Sequence, residues 1–516
     1  MTQLGFWNLA AADPSRIALV TPEGEEVTRG ELLAASNRIS HGLREMGLAK
    51  GDCVAMVLPN GRAVIELYLA TFQSGLYLTP INNHLAAPEV AYILEDCEAK
   101  AFVSHERFAS IAKPAADEAG LKPEACFGVG TIPGFQDYGG LGAGLPDVFQ
   151  EGRAAGGLMN YTSGTTGRPK GVRRPLAPLD PDTVAALFTG LPAMFGLKPE
   201  DENVHLVGSP LYHTAVLMFA SASLHLGHKL VVMDKWTPED CLRLIAEQRV
   251  TSSHMVPTQF HRLLQLPEET RREYDVSSTR AMIHAAAPCP VEIKHQMISW
   301  WGDSVWEYYA ATEGGGTIIS PEEWRKKPGS VGKAWPNAEI KIVDDDGREC
   351  PAGTPGTVYM LRGQADFEYY KDKEKTEKVR LGNYFTVGDI GFLDDDDYLF
   401  LCDRKSDMII SGGVNIYPAE IENVILTFPK VADVAVFGVP NDDWGEEVKA
   451  VVEPAPGSEP GPVLAQEIID FCGGRLAKYK TPRSVDFTAE MPRDPNGKLY
   501  KRRLRDPYWE GQERSI

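Results

Sequence analysis

Apolar and polar positions along this chain follow two different periods, and the switch between them marks its organisation. From residue 29 to about residue 102, a helical pattern (GELLAASNRISHGLREMGL) gives way to an apolar run (CVAMVLP), then to a second helix and a second run (AVIELYLATFQSGLYLTP). Helical stretches separated by short, wholly apolar runs are the βαβ rhythm of a parallel sheet buried on both faces. The rhythm returns after residue 200, with HLVGSPLYH, VLMFASASLHL, KLVVMD, TPEDCLRLIAEQR, SSHMVP and TRAMIHAAA. An α/β fold is expected, its large N-terminal part built of two layered subdomains that no sequence repeat relates.

Between about 330 and 402 the texture changes to short strands punctuated by Gly and Asp: AEIKIVDDDGREC, GTVYMLRG and YFTVGDIGFLDDDDYLFLCD. These predict a small antiparallel β unit. Beyond Asp403 come a helix (PAEIENVILTF), two strands (VADVAVFGV, EVKAVVEPA), a Pro/Gly-rich connection at 454–462 and a helix near 464–475. That is a small α+β domain. The boundary is set at the Arg404-Lys405-Ser406 step, giving an N-terminal domain of residues 1–403 and a mobile C-terminal domain of 404–516 hinged there.

Composition narrows the partners. The 516 residues exceed what one core usually serves, and 52 Lys and Arg against 72 Asp and Glu give a net charge of −20. Such a chain is not expected to bind nucleic acid or an anionic membrane. Its partner is expected to be a small molecule. Eight cysteines without a CxxC pair signal neither a disulfide framework nor a zinc site, so a reduced, cytoplasmic protein is expected. The start, MTQLGFWNLAAADPSR, has no basic region, and nowhere do about 18 apolar residues run unbroken, so neither secretion nor a membrane span is expected. A homodimer, and peripheral membrane contact through the basic run 498–505, stay open.

The densest chemistry lies at residues 161–171, YTSGTTGRPKG. Gly164, Gly167 and Gly171 let the backbone turn its N–H groups inward, Thr162, Ser163, Thr165 and Thr166 supply hydroxyls, and Lys170 a positive charge. A polyphosphate is the ligand this composition fits. The spacing is not that of the kinase loop GxxxxGK[ST], and the Pro-Lys-Gly exit argues against a flexible linker.

This loop resembles the signature phosphate loop of the adenylate-forming superfamily, which includes the acyl-CoA synthetases, peptide-synthetase adenylation domains and beetle luciferases. Further motifs stand in that family's order. Residues 209–214 (SPLYHT) resemble the motif whose His, here His213, gates the acyl pocket. Ala285-Ala286-Ala287-Pro288 stands where the family turns small residues against adenine. Residues 308–313 (YYAATE) resemble YGxTE, which implies that Tyr308 and Tyr309 meet the adenine, Thr312 the phosphates, and Glu313, with the Thr165 hydroxyl, a Mg²⁺ ion; Ala310 replaces the family's Gly. Residues 384–389 (YFTVGD) look like the motif whose Asp, here Asp389, takes both ribose hydroxyls, and residues 403–407 (DRKSD) like the hinge, with Arg404 on ribose or phosphate and Ser406 at the pivot. Ser411-Gly412-Gly413 resembles the loop lining the coenzyme A channel, and residues 492–498 (PRDPNGK) the loop that delivers the catalytic lysine, Lys498. Taken one at a time, His213 also reads as a core histidine, the alanine and glycine segments as ordinary turns, and Lys498 as a solvated turn residue.

The resemblance implies an ATP-dependent acid–thiol ligase that forms an acyl-adenylate and then a thioester. In it Lys498 would bridge carboxylate and α-phosphate, Lys170 would hold the departing pyrophosphate, and the C-terminal domain would rotate between half-reactions. Thr214 stands where amino-acid-activating relatives carry an Asp, so an amino-acid substrate is not expected. Residues 499–516 are too few for a fused carrier domain, so free coenzyme A is the expected acceptor. The candidate acyl lining, His213, Thr214, Trp236, Val256, Ala310, Gly314 and Gly315, implies a hydrophobic acid, either a medium to long chain or a bulky ring system. A carrier-protein acceptor, a luciferase-like oxygenation and a non-catalytic adenylate-binding protein are the alternatives.

Overall fold

The computed structural model describes residues 4–162, 169–199, 202–336, 338–361, 366–493 and 499–510. Its chain divides into two compact units. One holds residues 1–255, 266–283 and 363–378, the other 256–265, 284–362 and 379–516.

The first unit carries one parallel sheet entire and a set of parallel strands from a second sheet. In one, all neighbours run parallel, in the order Gln136–Asp137, Cys126–Val129, Ala99–His105, Cys53–Val57, Tyr77–Pro80 and Gly157–Leu158. Cys53–Val57 is buried at every position, which is why its sequence reads as an unbroken apolar run. In the other, Val204–Val207 lies between Lys229–Val232 and Ser252–Met255, parallel to both. Ile17–Val20 extends this sheet beside Lys229–Val232 and folds back on Glu26–Thr28 as an antiparallel edge.

The N-terminal strands of this second sheet were not foreseen, and nor was the core that joins the subdomains. Helices Arg29–Glu45, Arg62–Gln73 and Thr214–Leu226 bury residues in one apolar cluster together with strand residues of both sheets, among them Val54, Leu78, Val207 and Leu230. Helix Thr214–Leu226 is apolar nearly all round because ten of its thirteen residues are buried, and Gly227 ends it at φ 89°.

The second unit contains the hairpin Val305–Ala311/Gly314–Ile319, an antiparallel sheet over residues 340–404, and a C-terminal sheet in which Val431–Asn441 and Gly445–Pro454 form the long central hairpin. Ser484–Phe487 joins that hairpin in parallel, and helices Pro418–Ile425 and Pro462–Gly473 pack on its apolar face. The small β unit and the α+β segment thus take the form that their punctuation predicts.

Candidate active site

Within the second unit, three separated motifs converge on one carboxylate. Tyr309 sits on strand Val305–Ala311, and its hydroxyl donates to Asp389 Oδ2 at 2.7 Å. Asp389 opens strand Asp389–Leu393, directly opposite Arg404 in the antiparallel register, and Arg404 Nε lies 3.5 Å from Asp389 Oδ1. The carboxylate side chain is 13% exposed while the guanidinium is 45% exposed, so the anion is held in place and the cation is left free to reach outward. Burial, and then the Asp389 charge, push the Tyr309 phenol well above its ordinary pKa, so it stays a donor.

The YYAATE segment owes its shape to a tight hairpin. Ala311 pairs with Gly314, which leaves Thr312 and Glu313 as the two turn residues, with Glu313 buried and Ala310 half-buried. Among the described residues no group of three or more His, Cys, Asp or Glu could hold a metal ion. A single buried carboxylate suits Mg²⁺ when phosphate oxygens supply the remaining ligands, and Glu313 fits that donor set. Its expected partner Thr165 lies outside the described residues.

Tyr308 is buried, 6.5 Å from the Trp335 ring. Ala286 adopts φ +74°, a left-handed conformation unusual for a residue with a side chain, and is exposed between buried Ala285 and half-buried Ala287; Pro288 is exposed. Val256 is wholly buried. The glycine run has a packing reason of its own. A Cβ on Gly315 would come within 2.6 Å of Met360, and one on Gly316 within 2.5 Å of Trp335.

Farther along this unit, Gly412 and Gly413, at φ +58° and +79°, form the two-residue turn of the hairpin Ile409–Ser411/Val414–Ile416. Positive φ at both positions is what a type I′ turn needs. Gly412 also lies against Trp444, whose Cε3 would be 2.6 Å from an added Cβ. Ser406 is in the turn between strand Leu399–Arg404 and this hairpin, and its hydroxyl lies 3.4 Å from Asp407 Oδ1. Lys498 lies outside the described residues. Beside it in sequence, however, Lys501 is bonded to Glu422 at 2.8 Å. Burial works to lower the Lys501 pKa, but Glu422, Asp403 and Asp407 outweigh it and hold the ammonium above the usual lysine value. Asp403 also accepts from the Ala419 amide at 2.9 Å at the start of helix Pro418–Ile425.

In the first unit, strand Asn160–Thr162 pairs antiparallel with Lys170–Arg173, placing Thr162 opposite Lys170. Ser163, Gly164, Thr165, Thr166 and Gly167 lie outside the described residues. Lys170 forms an ion pair with Asp372, which also accepts from the Lys375 amide at 3.0 Å at the start of helix Lys373–Lys378. Half-buried His213 is the N-cap residue of helix Thr214–Leu226, so Thr214 is its first residue. Trp236 packs closely on Gly208, where a Cβ would come within 2.8 Å of its ring. The SPLYHT segment is held by a residue that sequence reasoning missed. Buried Asn60 donates to the Ser209 and Met233 carbonyls, both at 3.0 Å, and accepts from the Leu211 amide at 2.7 Å. An Asn beside a glycine reads as a turn, which hid this role.

Comparison with known proteins identifies the family. Residues 6–370 match the AMP-binding enzyme family and residues 420–498 its C-terminal domain. A long-chain-fatty-acid–CoA ligase of Mycobacterium tuberculosis, FadD13, is 34% identical over 508 residues, covering 97% of each chain. A feruloyl-CoA synthase of Amycolatopsis is 32% identical over 97% of this chain and 98% of its own. The crystal structure of ATP-bound MatB from Rhodopseudomonas palustris superposes with a TM-score of 0.82 at 31% identity, covering 98% of this chain and 99% of that one. The chain belongs to the AMP-binding enzyme family and, within it, to the adenylate-forming acyl-CoA synthetases.

Proposed function

We propose that this synthetase activates a hydrophobic monocarboxylic acid, a medium to long chain or a ring-bearing acid, and passes the acyl group to free coenzyme A. The observation that carries the reading is the convergence of Tyr309, Asp389 and Arg404: a half-buried carboxylate, fixed by a phenol and flanked by a guanidinium, is suited to grip a ribose diol. A fatty-acid ligase and a feruloyl-CoA synthase among the relatives support the apolar range of acids.

In the first half-reaction the acid's carboxylate attacks the α-phosphate of ATP, forming an acyl-adenylate and releasing pyrophosphate. Two anions must meet, so the demand is for positive charge and alignment rather than for a base. Lys498 bridges carboxylate and α-phosphate. Lys170 must leave Asp372 to hold the pyrophosphate, so the ion pair keeps that cation in reserve on its strand. Glu313 and Thr165 would hold Mg²⁺, which would supply charge neutralisation at the phosphates. In the second half-reaction the thiol of coenzyme A attacks the acyl carbon and AMP leaves. The Gly412-Gly413 turn then lines the thiol channel after residues 404–516 rotate about Ser406, His213 gates the acyl pocket, and the boundary lies at 403/404. Eight free thiols support a reducing, cytoplasmic setting.

The test is pyrophosphate release across fatty, aromatic and polycyclic acids, with and without coenzyme A. Wild type should release pyrophosphate with apolar acids and yield an acyl-CoA, while Lys498→Ala should lose the first half-reaction by about 10²-fold or more. Turnover with amino acids alone, or an adenylate that coenzyme A does not consume, would refute the reading.

A further inference from the structure

One buried charge pair in the second unit has no part in either half-reaction. Lys294, on helix Val291–Trp301, is 0% exposed, and its ammonium lies 2.5 Å from Glu307 Oε2 on strand Val305–Ala311. His284, also 0% exposed, brings its Nε2 to 3.6 Å from the same oxygen. Trp324 covers the ammonium, 4.8 Å from its ring centre. Burial works against both charges, raising the carboxyl's pKa and lowering the ammonium's. Apolar residues of like volume usually serve stability as well as such a pair, so stability alone does not account for it.

The positions of the three residues offer an account. His284 immediately precedes the turn Ala285-Ala286-Ala287-Pro288. Lys294 lies in the first turns of the helix that leaves it, with its amide bonded to the Pro290 carbonyl at 3.1 Å. Glu307 immediately precedes Tyr308 and Tyr309. Both ends of the turn are therefore drawn to one carboxylate, and that carboxylate is fixed to the strand bearing the two tyrosines. The turn itself needs holding, because Ala286 sits at φ +74°.

We propose that Glu307, Lys294 and His284 form a buried clasp that sets the gap between the alanine turn and the tyrosine strand, and so positions the adenine ring. The inference rests on the proposed nucleotide site, with the adenine held between the alanine turn and Tyr308–Tyr309 as the motif resemblance implies. These three are positioning residues: they act through Ala286 and Tyr309 and do not touch the nucleotide. An apolar replacement would keep the fold while letting the gap relax.

The experiment measures AMP binding by calorimetry, KM for ATP and for the acid, and thermal stability, in wild type and in the double variant Lys294→Met/Glu307→Leu. The double variant should keep its melting temperature, weaken AMP binding and raise KM for ATP by about tenfold, and leave KM for the acid unchanged. AMP binding within twofold of wild type in the folded double variant would overturn the clasp. Should the double variant not fold, Glu307→Gln, which keeps the shape and an acceptor, carries the test. A rise in KM for ATP alone supports the clasp, whereas no rise, or an equal rise for both substrates, overturns it. A wild type that binds no AMP would instead overturn the nucleotide site itself.

Discussion

Acidification to pH 5 should cost the first compact unit about 6 kcal/mol of stability, and three histidines set the magnitude. His205, His225 and His254 are 1%, 0% and 2% exposed. Burial pushes their imidazoles from 6.5 down to about 3, about 3 and about 4 respectively, with neighbouring His254 and His228 adding to the effect at His205. The unfolded chain takes up these protons near pH 6.5, while the folded chain refuses them until pH 3–4, so stability is intact above 6.5 and is lost as the pH falls below it. At pH 5 each histidine accounts for about 2 kcal/mol of lost stability and the three for about 6, against the roughly 5–15 kcal/mol that a folded domain has in total. His225 shows why its proton is refused. Its Nδ1 accepts from the Phe6 amide at 3.1 Å and its Nε2 lies 3.2 Å from the Tyr68 hydroxyl, so a proton on Nδ1 would evict the amide. Urea unfolding followed by circular dichroism between pH 8 and 4.5 measures the slope. His225→Gln, which retains an acceptor and does not titrate, should lower that slope by about 1.4 kcal/mol per pH unit. A stability that stays flat from pH 7 to 5, or a His225→Gln variant with the wild-type slope, would mean that these histidines do not govern acid stability.

Two substitutions in the second unit test its polar contacts. Tyr309→Phe removes the 2.7 Å donor from Asp389, a hydrogen bond to a charged group worth about 1.5–3 kcal/mol, and should raise KM for ATP about tenfold or more with little change in kcat; an unchanged KM would mean that Asp389 is held by other contacts. Lys501→Met leaves the Glu422 and Asp403 carboxylates without their shared cation, which should destabilise the C-terminal segment by about 3–5 kcal/mol, and adding Glu422→Gln should restore part of that loss. A thermal scan in which Lys501→Met melts with wild type would contradict it.

Much of the fold was legible because its strands are buried on both faces and its turns carry their own chemistry. CVAMVLP could be placed since a wholly apolar run between helices has few other uses, and Gly412-Gly413 since consecutive glycines also read as an ordinary turn. The first strand of the chain was not legible. IALV at residues 17–20 is four residues long, and its neighbour in the sheet, Lys229–Val232, lies about two hundred residues away in sequence. Nothing local records that pairing. The single core uniting the two subdomains escaped for the same reason: helix Thr214–Leu226 announces its burial by its composition, but not what it is buried against.

The candidate site divides along the same line. Residues that offer chemistry outward stand in motifs, because a ligand group has to be met by particular residue types at particular spacings; Tyr309, Asp389 and Arg404 were named on that ground. Residues that hold those groups in place can come from anywhere that the fold brings near. Asn60, Asp372 and Glu422 are each ordinary in their own sequence surroundings and acquire their roles only from a partner far along the chain, while Lys294 acquires its role from a strand that follows its own helix. The glycines at 314–316 show the converse case. Sequence alone left a widened acyl pocket and a plain turn equally open, yet positions 315 and 316 require glycine for close approach to Met360 and Trp335. Their presence therefore carries no information about a bulky acid, and the proposed preference for apolar acids rests instead on the absence of an acidic residue just after His213 in the sequence and on the relatives.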